Sequence, residues 1–70
     1  MPKLPGINHL AAVRAFEKAG FVVVRQSGHI VMKSGQTVLV IPRHNPVKPH
    51  TMGALIKASG LSVDDFRALL

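Results

Sequence analysis

The hydrophobic positions of the chain follow two different periods, which divide it into helical and extended segments. Over residues 9–19 the apolar side chains recur at helical spacing, which predicts an amphipathic helix capped by Asn8 and ended by Gly20. Residues 51–59 show similar spacing, begin with a threonine hydroxyl that can cap a helix, and stop at Gly60. Both segments are therefore predicted helices.

Three short runs between these helices have the composition of β-strands. They are FVVVRQ, HIVMK and QTVLVI, at residues 21–26, 29–33 and 36–41. The runs are rich in β-branched residues and are separated by glycine turns, so they predict an antiparallel meander. In the middle strand, alternation places Ile30 and Met32 on one face, whereas His29 shares the other face with a lysine. That second face is predicted to be exposed to solvent.

The remaining segments complete a two-layer arrangement. Residues 42–50 contain three of the five prolines and several basic side chains, so they are predicted to form an extended, stiff, positively charged connector. Ser62 can begin a last short helix in which Asp65 completes a capping box. The order α-β-β-β-α plus a short C-terminal helix predicts an α+β fold, with a three-stranded antiparallel sheet and two helices on one face. We expect residues 1–70 to form one domain.

The composition gives the chain a strong positive charge. Nine Lys and Arg residues stand against three Asp and Glu residues, a formal charge of +6 with the four histidines neutral. A field of that sign attracts polyanions, with nucleic acid as the first candidate and an anionic membrane surface or an acidic protein as competitors. No apolar stretch approaches the roughly 18 residues of a membrane span, so we expect a soluble cytoplasmic protein with no membrane partner.

Several classes of chemistry lack the residues that they need. The chain has no cysteine, which excludes disulfide scaffolds, thiolate zinc sites and thiol nucleophiles. Its three carboxylates are scattered between a helix and a terminal cap, so we expect no carboxylate pair, no bound metal and no cofactor. The phenylalanines Phe16, Phe21 and Phe66 occupy positions typical of a core, so a row of exposed stacking rings is not expected.

His29 is the candidate catalytic residue. An imidazole can take or give a proton near neutral pH, and the preceding glycine can let another backbone approach closely. A surface histidine without a function is the competing interpretation. The residues near it in sequence form a basic and polar setting suited to a phosphodiester: Arg25, Gln26, Ser27, Gly28 and Lys33.

The proline segment carries the other candidate RNA contacts. Arg43 offers a planar fork of donors and Lys48 a point charge, and both can hold phosphate oxygens. Solvated linker residues are an equally open interpretation. His44 and His50 lie six residues apart, which is not a zinc-ligand spacing. His9, in the first turn of the first helix, is expected to be exposed.

Three motifs give the chain a resemblance to a known family. They are GFVVVRQSGH, VLVIPRHNP and HTMGALIKASGLSVDDF, at residues 20–29, 38–46 and 50–66. They resemble the HicA family of toxin–antitoxin mRNA interferases, and the resemblance covers nearly the whole chain. The most specific parts are the element from Arg25 to His29, the I-P-x-H element from Ile41 to His44, and the threonine-led helix that ends in a glycine.

The resemblance implies a fold similar to that of double-stranded-RNA-binding domains, with His29 as the functional histidine. Many members read Gly-Ser-His at this point, whereas this chain reads Ser-Gly-His. The implied activity is RNA cleavage without a metal: the substrate's 2′-hydroxyl attacks the adjacent phosphorus, and His29 acts as general acid or base. Arg25, Lys33, Arg43 or Lys48 would hold the phosphate charge, with His44 as the candidate for the second proton transfer.

The implied substrate is mRNA, and the implied protein partner is a HicB-type antitoxin that masks the basic face. Two other functions remain open. A non-catalytic RNA-binding module with the same fold and charge would tolerate a neutral replacement of His29. A pure interaction protein, which pairs its sheet edge or basic face with an acidic partner, would show no RNA affinity at low salt.

Overall fold

The computed structural model describes residues 7–43 and 46–70, and its helices and strands follow the predicted order. They are α1 His9–Lys18, β1 Val22–Gln26, β2 His29–Ser34, β3 Thr37–Pro42, α2 Pro49–Ser59 and α3 Val63–Leu69. The strands form one antiparallel sheet in the order β1-β2-β3, which confirms the predicted α+β class. Among these helices, none has the length and hydropathy needed to cross a membrane.

Helix α1 forms because both of its ends are capped and its apolar residues share one face. The Oδ1 atom of Asn8 accepts a hydrogen bond from the Leu10 amide at 2.8 Å. Gly20 follows the helix with a φ of +102°, a left-handed conformation that glycine adopts without strain. Both predicted ends are therefore confirmed to within one residue.

The prediction that His9 is exposed is wrong. The residue is only 9% exposed, because it lies three and four positions before the buried Ala12 and Val13 and so shares the inward face of α1.

The sheet has one buried face and one open face. In β2, Ile30 and Met32 are buried, whereas His29 and Lys33 are exposed, as the alternation predicts. Ile30 pairs with Ile41 of β3, and paired residues of an antiparallel ladder point to the same face. The buried face is therefore continuous across the strands.

All of the helices pack on that buried face or on one another. α1 contacts β1 and β3, α2 contacts β3, and α3 contacts α1 and α2. At the centre the ring of Phe16 lies 5.9 Å from that of Phe21 and 5.0 Å from that of Phe66, measured between centroids. The three phenylalanines are buried, as predicted.

The proline segment is shorter than predicted because β3 and α2 extend into its two ends. β3 continues through Pro42, which an edge strand tolerates because the missing N–H costs no ladder bond. Helix α2 begins at Pro49 with Lys48 at the N-cap and no side-chain cap, so the prediction of a helix capped by Thr51 is wrong. Proline suits the first helical position, where its fixed φ fits and no hydrogen-bond donor is needed.

Val47 joins the end of this segment to the core through a backbone bridge and a buried side chain. Ile7 and Val47 form an antiparallel bridge with N···O distances of 3.2 and 2.7 Å, and both side chains are buried.

The capping box predicted for the last helix is confirmed. Ser62 Oγ accepts from the Asp65 amide at 3.0 Å, and Asp65 Oδ2 accepts from the Ser62 amide at 3.4 Å.

Replacing either of two glycines at α2 by alanine should change the stability of the protein, with opposite signs at the two positions. Gly53 lies inside the helix, whereas Gly60 follows it with a φ of +85°, and an added Cβ meets nothing within 4 Å at either position. Gly53→Ala should raise the free energy of unfolding by about 0.5–1 kcal/mol, and Gly60→Ala should lower it by about 1–2 kcal/mol. Thermal unfolding followed by circular dichroism measures both changes. A stabilised Gly60→Ala variant would contradict the left-handed cap.

Candidate active site

The candidate site lies at one end of the sheet, where the β1–β2 turn meets the end of β3. His29 is the first residue of β2, is exposed, and pairs with Pro42 of β3. Because Ile30 beside it points into the core, alternation directs the His29 side chain out of the open face. The imidazole is thus accessible from the solvent side of the sheet.

Two hydrogen bonds hold the turn that leads into His29. The Ser27 amide donates to the His29 carbonyl at 3.1 Å. The Arg43 guanidinium donates through Nη1 to the Ser27 carbonyl, also at 3.1 Å. Since Arg43 directly follows β3 and the turn joins β1 to β2, the second bond ties the ends of all three strands together.

Arg43 therefore has a structural contact that the sequence does not reveal. A guanidinium carries five N–H donors, and the bond to Ser27 engages one nitrogen, so other donors remain for a phosphate oxygen. The predicted phosphate contact stays a prediction. The structure adds to it a bond that fixes the backbone beside His29.

Gly28 leaves open space next to the candidate histidine. A Cβ built on Gly28 meets nothing within 4 Å, and its φ is not in the left-handed region. In the described part of the chain no other residue comes within 4 Å of this position, so the close approach of another backbone that the sequence predicts is not seen there.

A β-bulge in β1 brings Arg25 to the same face as His29. Val23 pairs with Met32, but Arg25 pairs with Val31, so the register shifts by one residue between them. Without that shift Arg25 would oppose Ile30 and point toward the helices, because one residue of slip moves a side chain to the other face.

Strand geometry places the Cα atoms of Arg25 and His29 about 8 Å apart, since two residues along a strand and one strand across separate them. The long Arg25 side chain is exposed, and it can reach an anion held beside the imidazole. Sequence spacing alone did not show this pairing.

The other predicted RNA-binding residues start from the opposite face, lie on other parts of the fold or fall outside the described ranges. Gln26 pairs with a core-facing residue of β2, so its side chain starts from the opposite face. Lys33 shares the open face but lies four residues along β2, about 13 Å away. Lys48 is at the N-terminus of α2. His44 falls outside the residues that the structure describes, so its predicted role is neither confirmed nor contradicted.

The charges of the open face are positive. Arg25 and Lys33 are exposed there, whereas the chain's three carboxylates, Glu17, Asp64 and Asp65, belong to α1 and α3. Over residues 7–43 and 46–70, no group of three His, Asp or Glu side chains is placed to hold a metal ion. The described face offers an imidazole and cationic donors, a set suited to an anionic substrate.

A known protein family matches most of the chain. A family model described as the HicA toxin of bacterial toxin-antitoxin matches residues 11–61 of the 70-residue chain. Neither the curated proteins nor the solved structures contain a match. The matched range holds most of α1, the whole sheet with its His29 turn, and α2. It confirms the resemblance seen in the sequence, and the chain belongs to the HicA family of toxins of bacterial toxin–antitoxin systems.

Proposed function

We propose that this toxin is a metal-independent endoribonuclease that cleaves mRNA in the cytoplasm and so inhibits translation. The observation that carries the proposal is the placement of an exposed His29 and an exposed Arg25 on one open face. Toxin family membership supports the biological role, and the charge of +6 supports a polyanionic substrate.

In the proposed reaction the RNA supplies its own nucleophile. The 2′-hydroxyl attacks the adjacent phosphorus and loses its proton to a base, and the bond to the 5′-oxygen breaks as that oxygen gains a proton. The products are a 2′,3′-cyclic phosphate and a 5′-hydroxyl. Two proton transfers are therefore needed, and a positioned imidazole is suited to either one.

His29 is assigned one of these transfers because of its position. Among the described histidines, His9 is buried on α1 and His50 is on the first turn of α2, so neither shares the open face with it. Arg25 is the cation placed to stabilise the charge that develops on the phosphoryl oxygens. His44 stays the sequence-based candidate for the second transfer.

His29→Ala should reduce RNA cleavage by about 10²-fold or more and abolish toxicity. The free energy of unfolding should change by less than about 0.5 kcal/mol, because the side chain is exposed and fills no core volume. Single-turnover cleavage and thermal unfolding measure the two effects. His50→Ala is the matched control, since this second exposed histidine lies on α2 and should keep full activity. A folded His29→Ala variant that cuts RNA at the normal rate would remove the assignment.

The variants Arg43→Met and Lys48→Met distinguish phosphate binding from positioning of the turn that precedes His29. If both side chains contact phosphate, each variant should bind RNA more weakly across sequences and lower the salt slope by about one unit or less. Arg43→Met also removes the bond to the Ser27 carbonyl, so it should lower the rate at saturating RNA by about tenfold or more. Equal saturating rates for the two variants would show that the Arg43 bond does not position the turn.

Changes to the RNA test whether its 2′-hydroxyl is the nucleophile. Cleavage should survive a chelator, the fragments should carry 2′,3′-cyclic or 3′-phosphate ends with 5′-hydroxyl partners, and one 2′-deoxy substitution at the cut site should block the reaction. Mass spectrometry of the fragments identifies the ends. Normal cleavage of the deoxy-substituted RNA would assign the attack to water. Binding without any cleavage would favour the RNA-binding module.

A further inference from the structure

A cleft lies between α1 and α3, away from the candidate active site. It encloses about 150 Å³, a volume comparable to that of a protein cavity that takes up one benzene molecule. α3 lies outside the range of the family match, residues 11–61, so family membership does not predict this cleft. We call it the α1–α3 cleft, and its lining residues are Ala11, Arg14, Lys18, Leu69 and Leu70.

The α1–α3 cleft continues into an exposed row of side chains along α1. Leu70 at the cleft is 53% exposed, and Leu10, one turn before Arg14, is 50% exposed. Leu10, Arg14 and Lys18 recur every four residues, so they follow one side of α1 over about 12 Å. A helix of about two turns has the length to cover this row.

The two cations of the α1–α3 cleft differ in how they are held. Lys18 Nζ donates a hydrogen bond to the Leu69 carbonyl at 3.1 Å, which joins α3 to α1. Arg14 is exposed and has no hydrogen-bond or ion-pair partner among the residues that the structure describes. The chain's three carboxylate side chains all lie in the described ranges, and none of them lines the cleft. The donors of the Arg14 guanidinium therefore remain available to an anionic group.

RNA and a second copy of the chain both fit the α1–α3 cleft poorly. The cleft offers leucines and an alanine, whereas a nucleotide base needs a planar side chain on which to stack. Two copies with a net charge of +6 each repel each other. The surface is complementary instead to a protein segment that presents apolar side chains beside carboxylates. An amphipathic helix does so when it binds in a groove through its apolar face.

We propose that the α1–α3 cleft is a docking site for an acidic amphipathic helix of another protein. The apolar face of that helix contacts Ala11, Leu69 and Leu70, and one of its carboxylates pairs with Arg14. The site goes beyond the proposed function because it does not use the open face: α1 packs on the opposite, buried side of the sheet. An occupant of the cleft therefore leaves His29 accessible, and docking is compatible with RNA cleavage by the same molecule.

The test uses a synthetic peptide of about 14 residues in which leucines recur at helical spacing and glutamates fill most other positions. NMR titration of the isotopically labelled full chain should move the signals of Ala11, Arg14 and Leu69 most and leave those of Gly28 and His29 nearly unchanged. A shuffled peptide of the same composition should bind about tenfold more weakly, because its leucines no longer share one face and the burial of one leucine is worth about that much. Equal affinity of the two peptides would show that net charge alone drives binding, and it would overturn the proposal.

Arg14→Met and Lys57→Met form a matched pair of variants, since each removes one exposed cation, from α1 and from α2 respectively. Arg14→Met should weaken peptide binding by about threefold or more, whereas Lys57→Met should change it by less than about twofold. Equal weakening by the two variants would contradict a specific pairing with Arg14. If Arg14→Met does not fold by circular dichroism, Arg14→Gln should weaken binding in the same direction.

The same titrations separate the α1–α3 cleft from the candidate active site. RNA cleavage should continue when the peptide saturates the chain, and a loss of cleavage would contradict a separate site. Signals of the cleft that move with RNA rather than with the peptide would also overturn the proposal. Peptide binding at the cleft by a chain that cuts no RNA would support the docking site and reject the proposed ribonuclease.

Discussion

Burial of one face of the sheet against Phe16 is the constraint on which the rest of this structure depends. The Phe16 ring packs against that of Phe21, which directly precedes β1, and against that of Phe66 in α3. Met32 and Leu39 complete the buried face of the sheet. α1 and α2 pack on this side of the sheet, and α3 packs on those two helices. The described elements therefore leave the other side of the sheet open, and alternation places His29 on it.

Irregular features give the open face its chemistry. The bulge in β1 moves Arg25 to the side of His29, and the bond from Arg43 to Ser27 fixes the turn between them. The same face carries the exposed cations Arg25 and Lys33 and several exposed valines.

Much of the fold could be predicted because its signals are local. Alternation in β2, the end of α2 at Gly60 and the Ser62 capping box each depend on a few neighbouring residues, and each is confirmed. The burial of His9 was missed because it depends on which side of α1 meets the core. The site was predicted less completely, since the bulge leaves no periodic signal, and the Arg43 bond joins residues that are 16 positions apart.

We propose that RNA binds the open face at the His29 end, and an NMR titration can locate the binding site residue by residue. The isotopically labelled chain is titrated with RNA that carries a 2′-deoxy sugar at the cut site, so that the complex persists. We expect the largest chemical-shift changes at Arg25, Gly28 and His29, with small changes on the outer side of α1. Changes concentrated on the helices, with the His29 signals unmoved, would contradict it.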